Sequence, residues 1–187
     1  DGVVDRYHHG LKNLSASIDV IASTFPASSR ILLTGNSAGG FGTDYMLPLV
    51  RKLYPDTPID LVNDCGVGIS RPGYVDFVSQ EWNATRFIPE GCETCVSPEG
   101  HTTGYHIFQL DEDPNLRMGF MSTKQDSVIA DVFVGIGGEA FEAALLQQHC
   151  GFLKMRQRKM PHQCAAGIGV DAVAVAAGQF ADRLVVH

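Results

Sequence analysis

The amino-acid sequence predicts an α/β fold built on a parallel sheet with flanking helices. Apolar runs and segments of helical periodicity alternate up to about residue 148 of the 187, which is the order that parallel strands joined by crossover helices require. A Gly-x-Ser-x-Gly motif at residues 35–39 stands between one such run and a helical segment. No internal repeat or low-complexity linker interrupts the chain, so we expect residues 1–187 to form a single domain.

The first part of the chain predicts two helix–strand pairs. Apolar residues recur at helical spacing over residues 8–24 and stop before a proline, which predicts a helix. Residues 30–35 form a short apolar run closed by glycine, which is typical of a strand buried on both faces. A second helix should follow Ser37 and end near Pro55, and residues 58–63 predict the next strand.

The middle of the chain is less regular. Residues 64–105 are rich in Gly, Pro, Cys and polar side chains, so we expect loops there, with a short helix near residues 74–80. The run at residues 116–122 predicts another buried strand. Helices are expected over residues 126–134 and 139–148.

The tail from His149 onward does not continue the alternation of predicted strands and helices. A basic run at residues 154–159 precedes a stretch of Ala, Gly and Val with little amphipathic pattern, so local preference and overall pattern disagree. We expect irregular structure after residue 148, with residues 149–187 forming a tail outside the regular fold. Because the chain opens on Asp1 rather than on Met, we also expect the domain to be incomplete at its amino terminus.

Charge and composition argue against two classes of partner. The formal net charge is -7 at pH 7, and the basic residues cluster only at residues 154–159, where a solvated face is the favoured interpretation. Phosphate binding needs a concentrated positive patch, so no nucleic-acid partner is expected. The chain has no run of roughly 18 apolar residues, so no membrane span is expected. The sequons at Asn13 and Asn83 fit an exported protein, either extracellular or periplasmic.

The serine motif at residues 35–39, with a strand before it and a helix after it, predicts a nucleophile elbow of the α/β-hydrolase type. A turn this tight strains the serine backbone, and the flanking glycines leave room where a Cβ would clash. The hydroxyl of Ser37 then stands at the carboxyl edge of the sheet, and the amide of Ala38 is placed to bind an oxyanion. The alternative is a glycine-rich turn with an incidental serine.

A serine nucleophile needs a base to take its proton and an acid to orient that base. In this fold the acid and then the histidine follow the serine along the chain. Asp126 follows the predicted strand at residues 116–122, so it should lie at the same edge as Ser37. Its alternative role is to cap the helix that follows it. Asp64 is the competing acid because it also follows a strand.

The histidine is the least constrained member of the triad. The histidines after Asp126 are His149, His162 and His187. His162 lies in a loop-like stretch and is the candidate base, with His149 at a helix end as the next choice. His101 has the right loop character but precedes the acid. Each of these histidines also fits an ordinary surface residue.

Further runs extend the serine motif into a wider pattern within residues 5–148. They are Tyr7-His8-His9-Gly10-Leu11-Lys12-Asn13, Gly35-Asn36-Ser37-Ala38-Gly39-Gly40-Phe41-Gly42, Asn63-Asp64-Cys65-Gly66, Glu81-Trp82-Asn83, Cys92-Glu93-Thr94-Cys95 and Gln125-Asp126-Ser127. This pattern resembles the pectin acetylesterase family, which also includes the carboxylesterase Notum. The accessory runs carry the resemblance, because other esterases share the serine motif.

The resemblance implies an α/β-hydrolase fold with a Ser, Asp, His triad, no metal and no cofactor. It implies Ser37 as nucleophile and Asp126 as triad acid, in an exported enzyme that removes O-linked acyl groups, often acetyl groups on a polysaccharide. Two features of the family are missing from this sequence. No glycine-rich oxyanion segment precedes the nucleophile, and the tail does not match the segment that carries the catalytic histidine.

The chain has five cysteines, so at least one is unpaired or bridged to another chain. Cys92-x-x-Cys95 has three interpretations: half of a zinc site with later histidines and cysteines, a redox pair, or a structural element, either a disulfide or a bridge to a cysteine such as Cys65. The resemblance and the sequons favour the structural interpretation.

The sequence therefore predicts a serine carboxylesterase that hydrolyses O-acyl esters of small molecules or polysaccharides through an acyl-enzyme on Ser37. The alternative is a truncated or inactive homologue that only binds an acylated ligand. A zinc-binding module built on Cys92 and Cys95 is the third hypothesis.

Overall fold

A computed structural model describes residues 8–156, 165–166 and 172–177, with side chains described over residues 8–148 except at residue 85. The helices are α1 (Gly10–Thr24), α2 (Ala38–Leu53), α3 (Tyr74–Trp82), α4 (Thr103–Glu112) and α5 (Gly138–Arg156), with a 3₁₀-helix at Ala84–Phe87 and a π-helix at Val128–Val134. The strands are β1 (Ile31–Asn36), β2 (Ile59–Asp64), β3 (Leu116–Thr123), β4 (Ala165–Ala166) and β5 (Ala172–Ala177). None of the described helices combines the length and apolar character that crossing a bilayer requires.

The strands form one sheet in the order β1-β2-β3-β5-β4. Strands β1, β2 and β3 are parallel neighbours connected through helices, which confirms the predicted α/β class with a parallel sheet. Strand β5 pairs antiparallel with β3, and β4 pairs antiparallel with β5. The described sheet is therefore mixed, and its parallel part consists of the first three strands.

The first strand corrects one prediction. The apolar run at residues 30–35 predicts a strand buried on both faces, but β1 pairs only with β2 among the described strands. Leu32 is 64% exposed, whereas Leu33, on the opposite face, is buried. An apolar run does not distinguish an edge strand from a central one, because its neighbours lie far away in sequence.

A row of buried side chains crosses the parallel strands. Leu33 is in register with Leu61, and Leu61 is in register with Met118. All three are buried, and burial of each such side chain contributes roughly 1.5–3 kcal/mol to folding. The same register brings Asn36 and Asp64 side by side where β1 and β2 end. The apolar core therefore fixes which polar residues meet at the carboxyl edge of the sheet.

Helix α4 was not predicted, because loops were expected up to residue 105. Five of its residues are buried, and three of them, Thr103, His106 and Gln109, are polar. A helix whose inner face is largely polar shows little apolar periodicity, which is the signal that identifies helices in a sequence. The function of that polar face becomes visible only when its partners in α2 and β2 are known.

Helix α2 contains Pro48 in its interior. Proline has no N–H, so the carbonyl oxygen of Asp44, four residues earlier, loses its helical partner. The side-chain amide of Gln109 donates a hydrogen bond of 3.1 Å to that carbonyl from α4. A neighbouring helix thus completes the hydrogen bonding of α2.

The region after residue 148 differs from the irregular tail that was predicted. Helix α5 continues to Arg156, and the short strand β4 and the longer β5 follow it. The other residues beyond Arg156, including the end of the basic run, lie outside the described residues.

Candidate active site

Ser37 occupies the turn between β1 and α2 with φ 54° and ψ −119°. Positive φ is costly for a residue that has a Cβ, and such strained residues cluster at functional sites. The strand ends at Asn36 and the helix begins at Ala38, so the turn consists of the serine alone. The predicted strained strand–turn–helix geometry around Ser37 is confirmed.

The glycines of the turn differ in what they allow. A Cβ on Gly35 would lie 2.1 Å from the carbonyl oxygen of Gly39, which is impossible without moving the backbone. A Cβ on Gly40 would lie 2.6 Å from the side-chain oxygen of Asn63. A Cβ on Gly39 itself would meet nothing within 4 Å. The prediction that both flanking glycines prevent a clash therefore holds for Gly35, but Gly40 and not Gly39 is the second.

The amides at the start of α2 have distinct partners. The N–H of Ser37 donates to the carbonyl oxygen of Asp64 at 2.8 Å. The N–H groups of Gly40 and Phe41 donate to the carbonyl oxygen of Ser37 at 2.9 and 3.3 Å. Within the described part of the chain, the N–H of Ala38 has no hydrogen-bond acceptor. The role of this N–H as an oxyanion donor stays a prediction.

A cavity of about 310 Å³ opens beside Ser37. Its walls come from the first turns of α2, from α3 and from the π-helix, and they are mainly apolar and aromatic. Phe41, Trp82 and Phe133 are among the lining residues, and about half of the Trp82 and Phe133 side chains is exposed to solvent. An apolar cavity with a few polar groups is the usual form of a small-molecule site. The serine thus borders a space that suits an apolar ligand.

Asp126 lies close to the carboxyl edge of the sheet, next to Cys65, and is partly buried. Its Oδ1 accepts hydrogen bonds from the N–H groups of Val128 at 3.1 Å and Ile129 at 2.9 Å. Asp126 therefore does cap the helix after it, which was the alternative to a role as triad acid. Both capping bonds are made by Oδ1.

Asp64, the competing acid, is held by its neighbours. Its Oδ2 accepts a hydrogen bond of 2.8 Å from the side chain of Asn36, and the thiol of Cys65 lies 3.2 Å from its Oδ1. Burial, followed by contact with Asp64 and Asp126, raises the pKa of the Cys65 thiol to about 12. Cys65 is a free thiol with a positive φ of 67°. Both carboxylates thus lie at the edge where Ser37 turns.

The candidate histidines are placed only in part. His162 and His187 lie outside the described residues, and of His149 only its helical backbone in α5 is described. His101 is buried, and its Nδ1 accepts a hydrogen bond of 3.0 Å from the N–H of Ser70. Burial lowers the pKa of His101, which favours the neutral imidazole. His101 therefore has the environment of a core histidine.

A histidine–aspartate pair that the sequence analysis did not identify lies behind the Ser37 turn. Nε2 of His106 in α4 lies 2.8 Å from Oδ2 of Asp44 in α2, and both side chains are buried. The sequence offered no clear signal for this pair, because the helix that carries His106 was not predicted.

The cysteine motif is a disulfide. Cys92 and Cys95 are bonded to each other, which agrees with the structural interpretation and leaves neither sulfur as a thiolate ligand. Within the described residues, no group of three or more His, Cys, Asp or Glu side chains is arranged to hold a metal ion. The zinc hypothesis gains no support from this part of the chain.

Comparisons with known proteins do not assign the chain to a family. No protein-family model, no curated protein and no solved structure matches it. The resemblance to the pectin acetylesterases remains a prediction that rests on the residues quoted above.

Proposed function

We propose that the protein is a serine carboxylesterase whose nucleophile is Ser37. One observation carries the proposal: a serine with φ 54° forms the whole turn between a parallel strand and a helix, beside an apolar cavity. A backbone strained in this way is maintained only where the surrounding structure enforces it. The free N–H of Ala38 adds an oxyanion donor next to the same hydroxyl.

In the proposed reaction, Oγ of Ser37 attacks the ester carbonyl while a histidine accepts the hydroxyl proton. The N–H of Ala38 stabilises the oxyanion of the tetrahedral intermediate. Collapse of the intermediate breaks the ester bond, and the histidine gives its proton to the departing alcohol. Water then attacks the acyl-enzyme, passes a proton through the histidine to Oγ, and releases the carboxylic acid. We propose His162 for the histidine and Asp126 for the group that orients it.

The cavity refines the expected acyl group. The resemblance favours acetyl esters, but an acetyl group fills only a small part of about 310 Å³. Apolar walls stabilise a bound acyl chain in proportion to the apolar area it buries. We therefore propose that Ser37 also accepts acyl groups considerably longer than acetyl, whether the alcohol is a small molecule or a polysaccharide.

We further propose that the protein is exported. Asn13 and Asn83, the acceptors of the two sequons, are both exposed. The Cys92–Cys95 disulfide supports an oxidising compartment, since disulfides persist mainly in secreted and periplasmic proteins.

A fluorophosphonate probe and a series of p-nitrophenyl esters test the proposed function. The native chain should become labelled on Ser37 and release p-nitrophenol, and Ser37→Ala should lose both properties while retaining its circular dichroism spectrum. Turnover that survives in Ser37→Ala would contradict the mechanism.

One observation favours a second candidate, a protein that binds an acylated ligand without hydrolysing it. Oδ1 of Asp126 is engaged in capping the helix after it, which is a complete structural role without catalysis. Binding of a fatty acid to the native chain without any probe labelling would identify this case.

A further inference from the structure

A buried polar network connects α2 to β2 and α4 directly behind the serine turn. It consists of Asp44, Asn63, His106 and Gln109, and is called here the Asp44 network. All four side chains are buried, with Asn63 fully inaccessible. Buried polar groups are costly unless they are hydrogen-bonded. Four of them in one place therefore indicate a role that apolar side chains could not fulfil.

Asn63 joins the end of β2 to the first turn of α2. Its Nδ2 lies 3.0 Å from the carbonyl oxygen of Gly40 and 2.9 Å from that of Gly66. Its Oδ1 accepts a hydrogen bond of 2.8 Å from the N–H of Gly66. A Cβ on Gly66 would lie 2.4 Å from the N–H nitrogen of Phe41, so the loop and the helix touch through their backbones. Asn63 therefore fixes the helical turn that follows Ser37.

Asp44 joins that turn to α4. Its Oδ2 accepts from Nδ2 of Asn63 and from Nε2 of His106, both at 2.8 Å. Gln109, one turn after His106 on the same face of α4, donates to the backbone carbonyl of Asp44 that Pro48 leaves without a helical partner. Asp44 is thus held through its side chain and through its backbone by the same helix.

Ser37 and the first turn of α2 are tied to consecutive residues of β2. Asp64 accepts the N–H of Ser37, and Asn63 donates to the carbonyl of Gly40, so the amide of Ala38 lies between two fixed points. A small displacement of such a donor relative to the nucleophile has a large effect, because a misplacement of about 1 Å reduces rates by roughly 100-fold.

We propose that the Asp44 network is the positioning element of the esterase site, with His106 as its outermost positioning residue. His106 lies behind the cavity wall, since a Cβ on Gly68, a lining residue, would be 3.2 Å from its Cε1. It sets the direction of the Ala38 amide through Asp44 and Asn63 and takes no proton from substrate. This inference rests on the proposed function of Ser37.

The test compares His106→Leu, which removes the donor to Asp44, with His106→Gln, whose side-chain amide replaces Nε2. Leu110→Ala is the matched control, because Leu110 is a buried core residue of the same helix outside the network. The measurements are kcat and KM for a p-nitrophenyl ester, the rate of fluorophosphonate labelling, and the melting temperature.

We expect His106→Leu to lower kcat and the labelling rate by about 10- to 100-fold with KM nearly unchanged, because only the transition state uses the oxyanion donor. His106→Gln should recover both rates to within about threefold. Leu110→Ala should lose stability without a comparable loss of rate. Equal rate losses in His106→Leu and Leu110→Ala at the same melting temperature would overturn the inference, and so would a failure of His106→Gln to recover.

Amide hydrogen exchange over residues 38–43 separates this inference from the proposed function. Exchange there should accelerate about 10-fold in His106→Leu and recover in His106→Gln, whether or not the protein turns over an ester. A native chain that is not labelled by the probe contradicts the proposed function. Unchanged exchange in His106→Leu contradicts the positioning role, whatever the labelling result.

Discussion

The N–H of Ser37 donates a hydrogen bond of 2.8 Å to the carbonyl oxygen of Asp64. One strand further, the N–H of Cys65 donates to the carbonyl oxygen of Met121 at 2.7 Å. These two bonds extend the parallel pairing past the regular ends of β1 and β2. The serine turn is therefore attached to the edge of the sheet by its own backbone, and changes at that edge should reach Ser37.

The glycines of the turn give a matched pair of substitutions. Gly35→Ala should destabilise the fold by about 2 kcal/mol or more, because the added Cβ would lie 2.1 Å from the carbonyl oxygen of Gly39. Gly39→Ala should change the free energy of unfolding by no more than about 0.5 kcal/mol, since its Cβ has open space. Urea denaturation measures both variants. Equal stability of the two variants would contradict the geometry of the turn.

Gly42 offers a test of where the acyl chain lies. It lines the cavity, and a Cβ built on it meets nothing within 4 Å, so a larger side chain there would enter open space. Gly42→Leu should reduce kcat/KM for p-nitrophenyl decanoate by about 10-fold or more and leave p-nitrophenyl acetate within about threefold. Gly42→Ala is the control and should retain most decanoate activity. A uniform loss on both esters in Gly42→Leu would show that the acyl chain lies elsewhere.

His101 should make stability depend on pH. Burial lowers its pKa from the ordinary value of 6.5, so the folded protein binds fewer protons than the unfolded chain just below pH 6.5. The contribution of His101 is complete above pH 6.5 and is lost as the pH falls from 6.5 through the lower pKa that His101 has in the folded protein. His101→Asn keeps an acceptor for the N–H of Ser70 and removes the titration. The free energy of unfolding of this variant should fall less steeply from pH 7 to 5, and identical slopes would contradict the assignment.

The thiol of Cys65 should react unusually slowly with alkylating reagents. With its pKa raised to about 12 by burial and by Asp64 and Asp126, almost none of it is thiolate at pH 8. Iodoacetamide should therefore alkylate it at least about 100-fold more slowly than an ordinary cysteine, and peptide mass mapping follows the reaction. Asp126→Asn should accelerate the reaction. A native Cys65 that reacts like free cysteine would contradict its proximity to the two carboxylates.

The features that could be predicted from the sequence are those with a local cause. The strand, the serine and the helix around Ser37 are adjacent in the chain, and Gly35 is required by an atom only four residues away. The position of Asp126 after a strand could be predicted in the same way. Its capping bonds to Val128 and Ile129 were foreseeable as an alternative, but the choice between capping and catalysis is not local.

The features that could not be predicted depend on contacts between distant segments. Leu32 belongs to an apolar run that predicts burial on both faces of β1, but its side chain is exposed, because no distant segment of the described chain covers that face of the strand. His106 meets Asp44 across 62 residues, and the helix that carries it presents a polar inner face. Apolar periodicity identifies helices whose inner face consists of apolar side chains. The inner face of α4 is largely polar and makes hydrogen bonds, so this signal is weak there.

Pro48 has a consequence for how the protein folds. A helix with a proline in its interior is a poor autonomous structure, and here the missing bond is supplied by Gln109, 65 residues away from Asp44. The segment of α2 around Asp44 therefore completes its hydrogen bonding only when the segment around residue 109 has docked. Until then a newly made chain would hold this part of α2 loosely, and the proposed reactivity of Ser37 would arise together with completed tertiary structure.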